Sequence, residues 1–217
     1  MSPTKVYIDT TVLKFSATRL PRLRPRKQTI KWGDLSLEET VHDIVRVNPN
    51  DPIDNAELKA EAELLPTLAE AGKHGEVKYV IQMETLLESW GVHKMDSETG
   101  KFYGAPIESV EAPIKYGRVV FGSNFNARDM QFSFLSSIKK DRFLELQKMT
   151  GAYQGPGKLN RNQLLDAFHI WCAEHNKCDY FLALDFKLLK VIRRQNRHPL
   201  VEVVKPSELI EKIGIST

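Results

Sequence analysis

The sequence predicts an α/β fold in which parallel strands alternate with helices. Residues 160–176 have helical spacing, residues 179–185 form an apolar strand, and residues 186–194 are helical again. Two more apolar strands, residues 5–9 and 77–82, are each followed by helix-like residues. Because strands that alternate with helices pair in parallel βαβ units, this order indicates a layered α/β fold.

Further elements continue the same alternation. A strand at residues 200–204 leads to a helix at 208–213. Another helix is predicted from about residue 54 to residue 71, disturbed near Pro66 and ended by Gly72.

The composition is that of a globular protein with one large domain. Hydrophobic residues make up 41% of the 217 residues and charged residues 27%, and no apolar run is long enough to cross a bilayer. No signal-peptide pattern follows Met1, and Cys172 and Cys178 are the only cysteines, so we expect a cytoplasmic location without membrane contact. A net charge of +3 is too small to indicate nucleic acid by itself.

Basic residues are concentrated in one stretch, 17–33, which we interpret as an exposed arm or loop. It provides the candidates for phosphate contacts and base stacking: Arg22, Arg24, Arg26, Lys27, Lys31 and Trp32. The alternative is an exposed loop that pairs with the acidic helix beside it. That helix is predicted from a capping box at residues 36–39 through about Val45.

Two strands of the predicted sheet end in aspartate, Asp9 in VYID and Asp185 in FLALD. In an open parallel sheet, ligands bind beyond the carboxyl ends of the strands, so we expect both side chains at one rim. The alternative is that both aspartates only cap the helices that follow them.

Further acidic residues are placed to join this rim. Asn162, Asp166 and His169 follow the spacing i, i+4 and i+7, which puts them on one face of a helix. Glu84 and Glu88 are one turn apart after the preceding strand, and either could reach the rim. A role at the helix dipole or on a solvated face would explain Asp166 and Glu88 without a site.

Carboxylates held this close together repel one another and raise each other's pKa. A hard divalent cation resolves that conflict, since Mg²⁺ and Mn²⁺ prefer oxygen ligands and keep water molecules that leave room for a phosphate. Such a site activates water for in-line attack on phosphorus. The residues therefore predict metal-assisted cleavage of a phosphodiester, with His169 as a hydrogen-bonded partner of the carboxylates.

The same residues resemble the motifs of the PIN-domain nucleases. IDTTVL is similar to the first motif, in which a strand ends in Asp before a hydroxyl residue, and it matches Asp9 and Thr10. TLLESWG resembles the second motif and selects the second of the two glutamates, Glu88. LLDAFHIWCAEHNKCDYFLALDFKLLK resembles the third and fourth motifs, with Asp166 and Asp185.

The resemblance implies a three-layer α/β/α sandwich with a central, mostly parallel sheet, formed by residues 1–217 as a single PIN-like domain. It leaves residues 17–53 and 92–157 as insertions, the second with helical spacing over 127–149. It implies an endoribonuclease that depends on Mg²⁺ or Mn²⁺ and cleaves RNA, expected to be single-stranded. An antitoxin protein and a second copy of the chain stay open as further partners, as does the choice between a toxin and an RNA-processing enzyme.

The resemblance assigns the catalytic and metal-binding roles to Asp9, Glu88, Asp166 and Asp185, supported by Thr10, Asn162 and His169. Thr11 stands where Asn is usual, and Ala183 stands where a hydroxyl residue is usual. These departures keep open a catalytically weak or inactive module that binds nucleic acid. A haloacid-dehalogenase-type phosphatase also begins with a strand ending in Asp, but its chemistry requires a second Asp where this chain has Thr11.

Overall fold

The computed structural model describes residues 3–16, 20–33, 35–47, 55–91, 101–117 and 127–215. The strands in these residues are β1 (Thr4–Ile8), β2 (Leu20–Trp32), β3 (Leu35–Val47), β4 (Val77–Ile81), β5 (Ile107–Ser109), β6 (Tyr180–Leu182) and β7 (Glu202–Val204). The helices are α1 (Thr10–Phe15), α2 (Ala56–Glu63), α3 (Leu65–Lys73), α4 (Met83–Gly91), α5 (Ala127–Ser137), α6 (Asp141–Met149), α7 (Arg161–His175), α8 (Phe186–Arg193) and α9 (Pro206–Ile213). Across these ranges, no helix combines the length and apolarity needed to cross a membrane.

Five of the strands form one sheet in the order β5-β4-β1-β6-β7, and each of the four neighbouring pairs is parallel. The predicted α/β fold with a mostly parallel sheet is therefore confirmed. The strand β1 lies in the middle of the sheet, and its apolar residues Val6, Tyr7 and Ile8 are completely buried because both faces of the strand are covered.

Helices cover both faces of the sheet, since the side chains of each strand alternate between the faces. On one face, Tyr7, Val80 and Phe181 pack with the apolar sides of α5, α6, α7 and α8. On the other face, Ile8 and Tyr79 pack with α1, α3 and α9. The order of helix, sheet and helix is compatible with a three-layer sandwich.

The carboxyl ends of β1, β4 and β6 lie side by side, because β1 pairs with both of the other strands. A helix follows each strand closely: α1 begins after Asp9, α4 after Gln82, and α8 after Asp185. The sheet therefore brings the first turns of three helices to one edge.

The predicted exposure of residues 17–33 is confirmed for the side chains described, but residues 20–32 form a strand instead of a loop, and the predicted helix over 36–45 is wrong. In the described part of residues 20–47, β2 and β3 form a two-stranded antiparallel ribbon with thirteen cross-strand pairs. The turn between them begins at Gly33, whose φ of +60° favours glycine. The local capping-box pattern is overridden by cross-strand pairing, for which the β-branched residues of β3 are well suited.

The helix predictions are corrected in two places. The pattern over 127–149 is divided between α5 and α6, with residues 138–140 outside both helices. The break near Pro66 is confirmed, but α3 continues through Gly72 instead of ending there. A Cβ atom at Gly72 would lie 2.6 Å from the ring of Tyr79, so this glycine permits the close approach of α3 to β4.

Parts of the second predicted insertion, 92–157, pack with the rest of the fold. β5 extends the central sheet, and α5 and α6 contribute to the apolar cluster around α7. Residues 92–100 and 118–126 of this stretch lie outside the described residues.

A buried carboxylate joins α2 to the start of α9. Glu61 is 5% exposed, and it accepts hydrogen bonds from the backbone N (2.8 Å) and the hydroxyl (2.7 Å) of Ser207. The ammonium of Lys205 lies 2.8 Å from the same carboxylate. Burial raises the pKa of Glu61, but the hydrogen bonds from Lys205 and Ser207 outweigh it and lower the pKa below the ordinary value of 4.5.

We predict that Glu61→Gln lowers the free energy of unfolding at pH 7 by about 1–3 kcal/mol, because hydrogen bonds to a charged, buried group are lost. The lowered pKa means that the ionised form contributes stability above pH 4.5, and this contribution is lost as the pH falls through the folded-state pKa. Urea unfolding at pH 7 and near pH 3 measures both effects. Glu63→Gln, on the exposed side of the same helix, is the control, and an equal effect of both variants would contradict the assignment.

Candidate functional site

Asp9 and Asp185 each cap the helix that begins after a strand. Asp9 Oδ2 accepts a hydrogen bond from the backbone N of Thr11 (3.1 Å), and Asp185 Oδ1 accepts from the backbone N of Lys187 (2.8 Å) and Leu188 (3.1 Å). Each cap uses one carboxylate oxygen, which leaves Asp9 Oδ1 and Asp185 Oδ2 outside the capping interaction. Capping and participation in a site are therefore compatible.

Thr11 joins the ends of β1 and β6 through its side chain. Its hydroxyl donates to Asp9 Oδ2 (2.5 Å) and accepts from the backbone N of Leu184 (3.1 Å), which immediately precedes Asp185. A hydroxyl thus lies between the two strand ends, although Ala183 lacks one. In the sequence Thr11 is only a departure from the PIN motif, whereas its contacts give it a positioning role.

His169 of α7 lies between Asp9 and Glu88 and is 1% exposed. Its Nδ1 is 3.7 Å from Asp9 Oδ1, and its Nε2 is 3.8 Å from Glu88 Oε2. Neither ring nitrogen has a hydrogen-bond partner among the residues that the structure describes. Glu88 accepts a hydrogen bond from the hydroxyl of Thr10. His169 therefore approaches both carboxylates as a neighbouring charge, without a formed hydrogen bond.

The charges of these three side chains are coupled. Burial raises the pKa of Asp9, but His169 and the hydrogen bonds of Thr11 outweigh burial and lower it. Burial lowers the pKa of His169, but Asp9 and Glu88 outweigh burial and raise it. Burial raises the pKa of Glu88, and the charge of Asp9 adds to this effect. The arrangement favours an ionised Asp9 beside a protonated His169.

Asp166 lies in the electrostatic field of the other three carboxylates. Burial raises its pKa well above the ordinary value, and the charges of Asp9, Asp185 and Glu88 raise it further. The structure therefore brings all four carboxylates to the same edge of the sheet. Asn162 is exposed, and no contact described for this chain links it to them.

The donor set is of the kind that Mg²⁺ and Mn²⁺ take, because it consists of carboxylate and hydroxyl oxygens. Over the described ranges, however, no group of three or more His, Cys, Asp or Glu side chains is arranged to hold a metal ion. Asp9 Oδ1 and Asp185 Oδ2 are the oxygens that capping leaves for a ligand.

Glu84 belongs to a separate buried network that the sequence did not reveal. Its carboxylate accepts hydrogen bonds from Tyr116 Oη (2.8 Å) and Gln131 Nε2 (2.6 Å). Gln82 Nε2 donates to Tyr116 Oη (2.8 Å), and Gln82 Oε1 accepts from the backbone N of Glu84 (2.7 Å). This network fixes the start of α4, one turn before Glu88.

The six residues predicted to contact nucleic acid all lie on β2. The side chains of Arg22 and Trp32 lie outside the described residues. Two of the cations form ion pairs with acidic side chains of β3: Arg26 with Asp43 at 2.9 Å and Lys27 with Glu38 at 3.6 Å. The acidic partner of the basic stretch is therefore a strand and not the predicted helix, and nucleic-acid contact stays a prediction.

No family model matches this chain, and no curated protein matches it. The resemblance to PIN-domain nucleases therefore rests on the four motifs alone.

We predict that Thr11→Val destabilises the fold by about 1–3 kcal/mol, because the backbone N of Leu184 loses its acceptor and Asp9 loses a donor. Thr11→Ser keeps the hydroxyl and should cost less. Urea unfolding measures the stability, and hydrogen exchange should show faster exchange of the Leu184 amide in the valine variant only. Unchanged exchange of the Leu184 amide in the valine variant would show that the hydrogen bond from Leu184 N to the Thr11 hydroxyl is not formed.

Proposed function

We propose that the protein is an endoribonuclease of the PIN-domain type that depends on Mg²⁺ or Mn²⁺. The observation that supports this most is the position of four carboxylates at the carboxyl edge of adjacent parallel strands: Asp9, Glu88, Asp166 and Asp185. Open parallel sheets bind ligands at this edge. The motifs that carry the resemblance supply the same four residues.

Each residue has its own role in the proposed site. Asp9 and Asp185, held by their capping bonds, present one oxygen each, and Thr10 orients Glu88. His169 limits the repulsion between Asp9 and Glu88. When bound, the divalent cation supplies the positive charge that a phosphodiester requires as negative charge develops on it.

Single-stranded RNA is the substrate class that the resemblance implies. Its phosphodiesters and bases are accessible without the separation of strands. An antitoxin protein is a proposed partner only if the biological role is that of a toxin.

We predict that labelled single-stranded RNA is cleaved in the presence of Mg²⁺ or Mn²⁺, and that Asp166→Asn reduces the rate by about a hundredfold or more, as expected for the loss of a charge-stabilising group. A gel assay with and without EDTA measures the rate. Asp141→Asn is the matched control, because Asp141 is an exposed aspartate in the first turn of α6. Equal cleavage by wild type and Asp166→Asn would contradict the proposed site.

A catalytically weak or inactive module that binds nucleic acid is the second candidate. It is favoured by one observation, that the described carboxylates are not arranged as a ligand group for a metal ion. In this case the charge of His169 takes the place of a bound cation between Asp9 and Glu88. The two candidates differ in whether the site binds a divalent cation.

We predict that Mn²⁺ stabilises the wild-type protein, by about 2.7 kcal/mol at a concentration a hundredfold above its dissociation constant. Asp9→Asn should remove this effect while it keeps the helix cap, since Asn caps helices about as well as Asp. Thermal unfolding with and without Mn²⁺ measures the shift, again with Asp141→Asn as control. The binding-only module predicts no shift in any of the three proteins.

A further inference from the structure

The ribbon of β2 and β3 pairs with no other strand among the residues described. Each strand has thirteen residues, and every described side chain of the ribbon is exposed or half-buried. A two-stranded ribbon with no buried face is marginally stable in water, and packing against further structure stabilises it. The ribbon is therefore expected to have a partner.

Exposed apolar side chains are concentrated on this ribbon. Nine large apolar side chains are exposed in the described part of the chain, and five of them belong to the ribbon: Leu23, Ile30, Leu35, Leu37 and Ile44. Their exposed fractions range from 38% to 72%. Such a concentration favours a protein partner over phosphate groups, which cations recognise.

The two faces of the ribbon differ. Opposite residues of an antiparallel pair share a face, and successive residues alternate between faces. The face that we call the tip face carries Arg24, Arg26, Gln28 and Ile30 of β2 with Leu35, Leu37, Glu39, Val41 and Asp43 of β3. The opposite face carries Leu23 and Ile44 as its exposed large apolar residues, together with Lys27 and Lys31.

We infer that the tip face binds the tip face of a second copy of this chain, with the twofold axis along the length of the ribbon. This symmetry places β2 of one copy over β3 of the other, so each residue faces its own cross-strand partner in the second copy. Arg24 then faces Asp43, and Ile30 faces Leu37. Complementary side chains therefore meet at these two positions of the face, while Arg26 faces Val41 and Gln28 faces Glu39.

Two other symmetric arrangements bring like charges together. An axis across the ribbon, centred on Arg26 and Val41, places Asp43 over Glu39 of the second copy. Joining two ribbons edge to edge places the basic strand beside another basic strand, or the acidic strand beside another acidic strand. Lengthwise stacking of the tip faces avoids both conflicts.

The size of the tip face sets the expected affinity. A ribbon of thirteen residues is about 43 Å long and about 10 Å wide, so two stacked faces bury roughly 800 Å² in total. This value is at the low end for specific interfaces and is typical of weak, reversible association. We therefore expect a dissociation constant on the order of 10 μM.

Sedimentation velocity from about 1 to about 200 μM tests the dimer, with circular dichroism to verify folding. The wild type should change from one to two chains over this range. Ile30→Glu together with Leu37→Glu should leave the protein monomeric. Leu23→Glu together with Ile44→Glu, on the opposite face, is the matched control and should dimerise like the wild type.

Charge reversal tests the register of the two copies. Arg24→Glu alone and Asp43→Arg alone should each weaken the dimer at least about tenfold. An equimolar mixture of the two variants should dimerise again, because each reversed charge faces an opposite charge across the interface. The pair within each ribbon stays repulsive in the mixture, so recovery reports only the contact between copies.

A wild-type chain that remains monomeric at 200 μM overturns the inference, as does dissociation caused by the opposite-face variant alone. If the chain is monomeric and Arg24→Glu weakens its binding to labelled single-stranded RNA, the ribbon is a nucleic-acid arm instead. These outcomes are independent of RNA cleavage, since the tip face contains none of the four carboxylates of the proposed site.

Discussion

The negative charge of Asp9 is the constraint on which the arrangement of the candidate site depends. Its carboxylate is 4% exposed at the end of the central strand, where an uncompensated charge costs several kcal/mol. Three groups compensate it: the backbone amide of Thr11, the hydroxyl of Thr11, and the imidazole of His169. Because the Thr11 hydroxyl also accepts from the backbone N of Leu184, these contacts link the start of α1, the residues after β6 and α7.

The need to satisfy a buried carboxylate also distinguishes the two glutamates of α4. Glu84 is fully buried, and both of its carboxylate oxygens accept hydrogen bonds, one from Tyr116 and one from Gln131. Glu88, one turn further on, is only partly buried and contacts Thr10 and the region of His169. The first carboxylate holds the helix in place, and this leaves the second available at the edge of the sheet.

Features of the fold and site that depend on residues close together in the sequence could be predicted, whereas contacts between residues far apart in the sequence could not. Apolar spacing is a local signal, so α7, α8 and the strand between them could be predicted, and two strand ends with Asp9 and Asp185 indicated a shared edge. The ribbon was not predicted, because residues 36–39 carry a local helix signal, whereas the cross-strand pairs extend from Trp32 with Leu35 to the distant pair of Leu20 with Val47. Likewise, nothing local marks Tyr116 as a partner of Glu84, since the contact crosses thirty-two positions.

Asp166 differs from the other carboxylates in what compensates it. Asp9 and Asp185 have capping amides, and Glu88 has the hydroxyl of Thr10. No hydrogen bond to the Asp166 carboxylate occurs among the described residues, and its three neighbours raise its pKa together with burial. Asp166 is therefore the carboxylate at this edge whose charge is least compensated by neighbouring groups. A cation that entered the site would lower the proton affinity of Asp166 more than that of the carboxylates whose charge is already compensated. In the proposed site, Asp166 is therefore the carboxylate whose protonation a bound cation would change most.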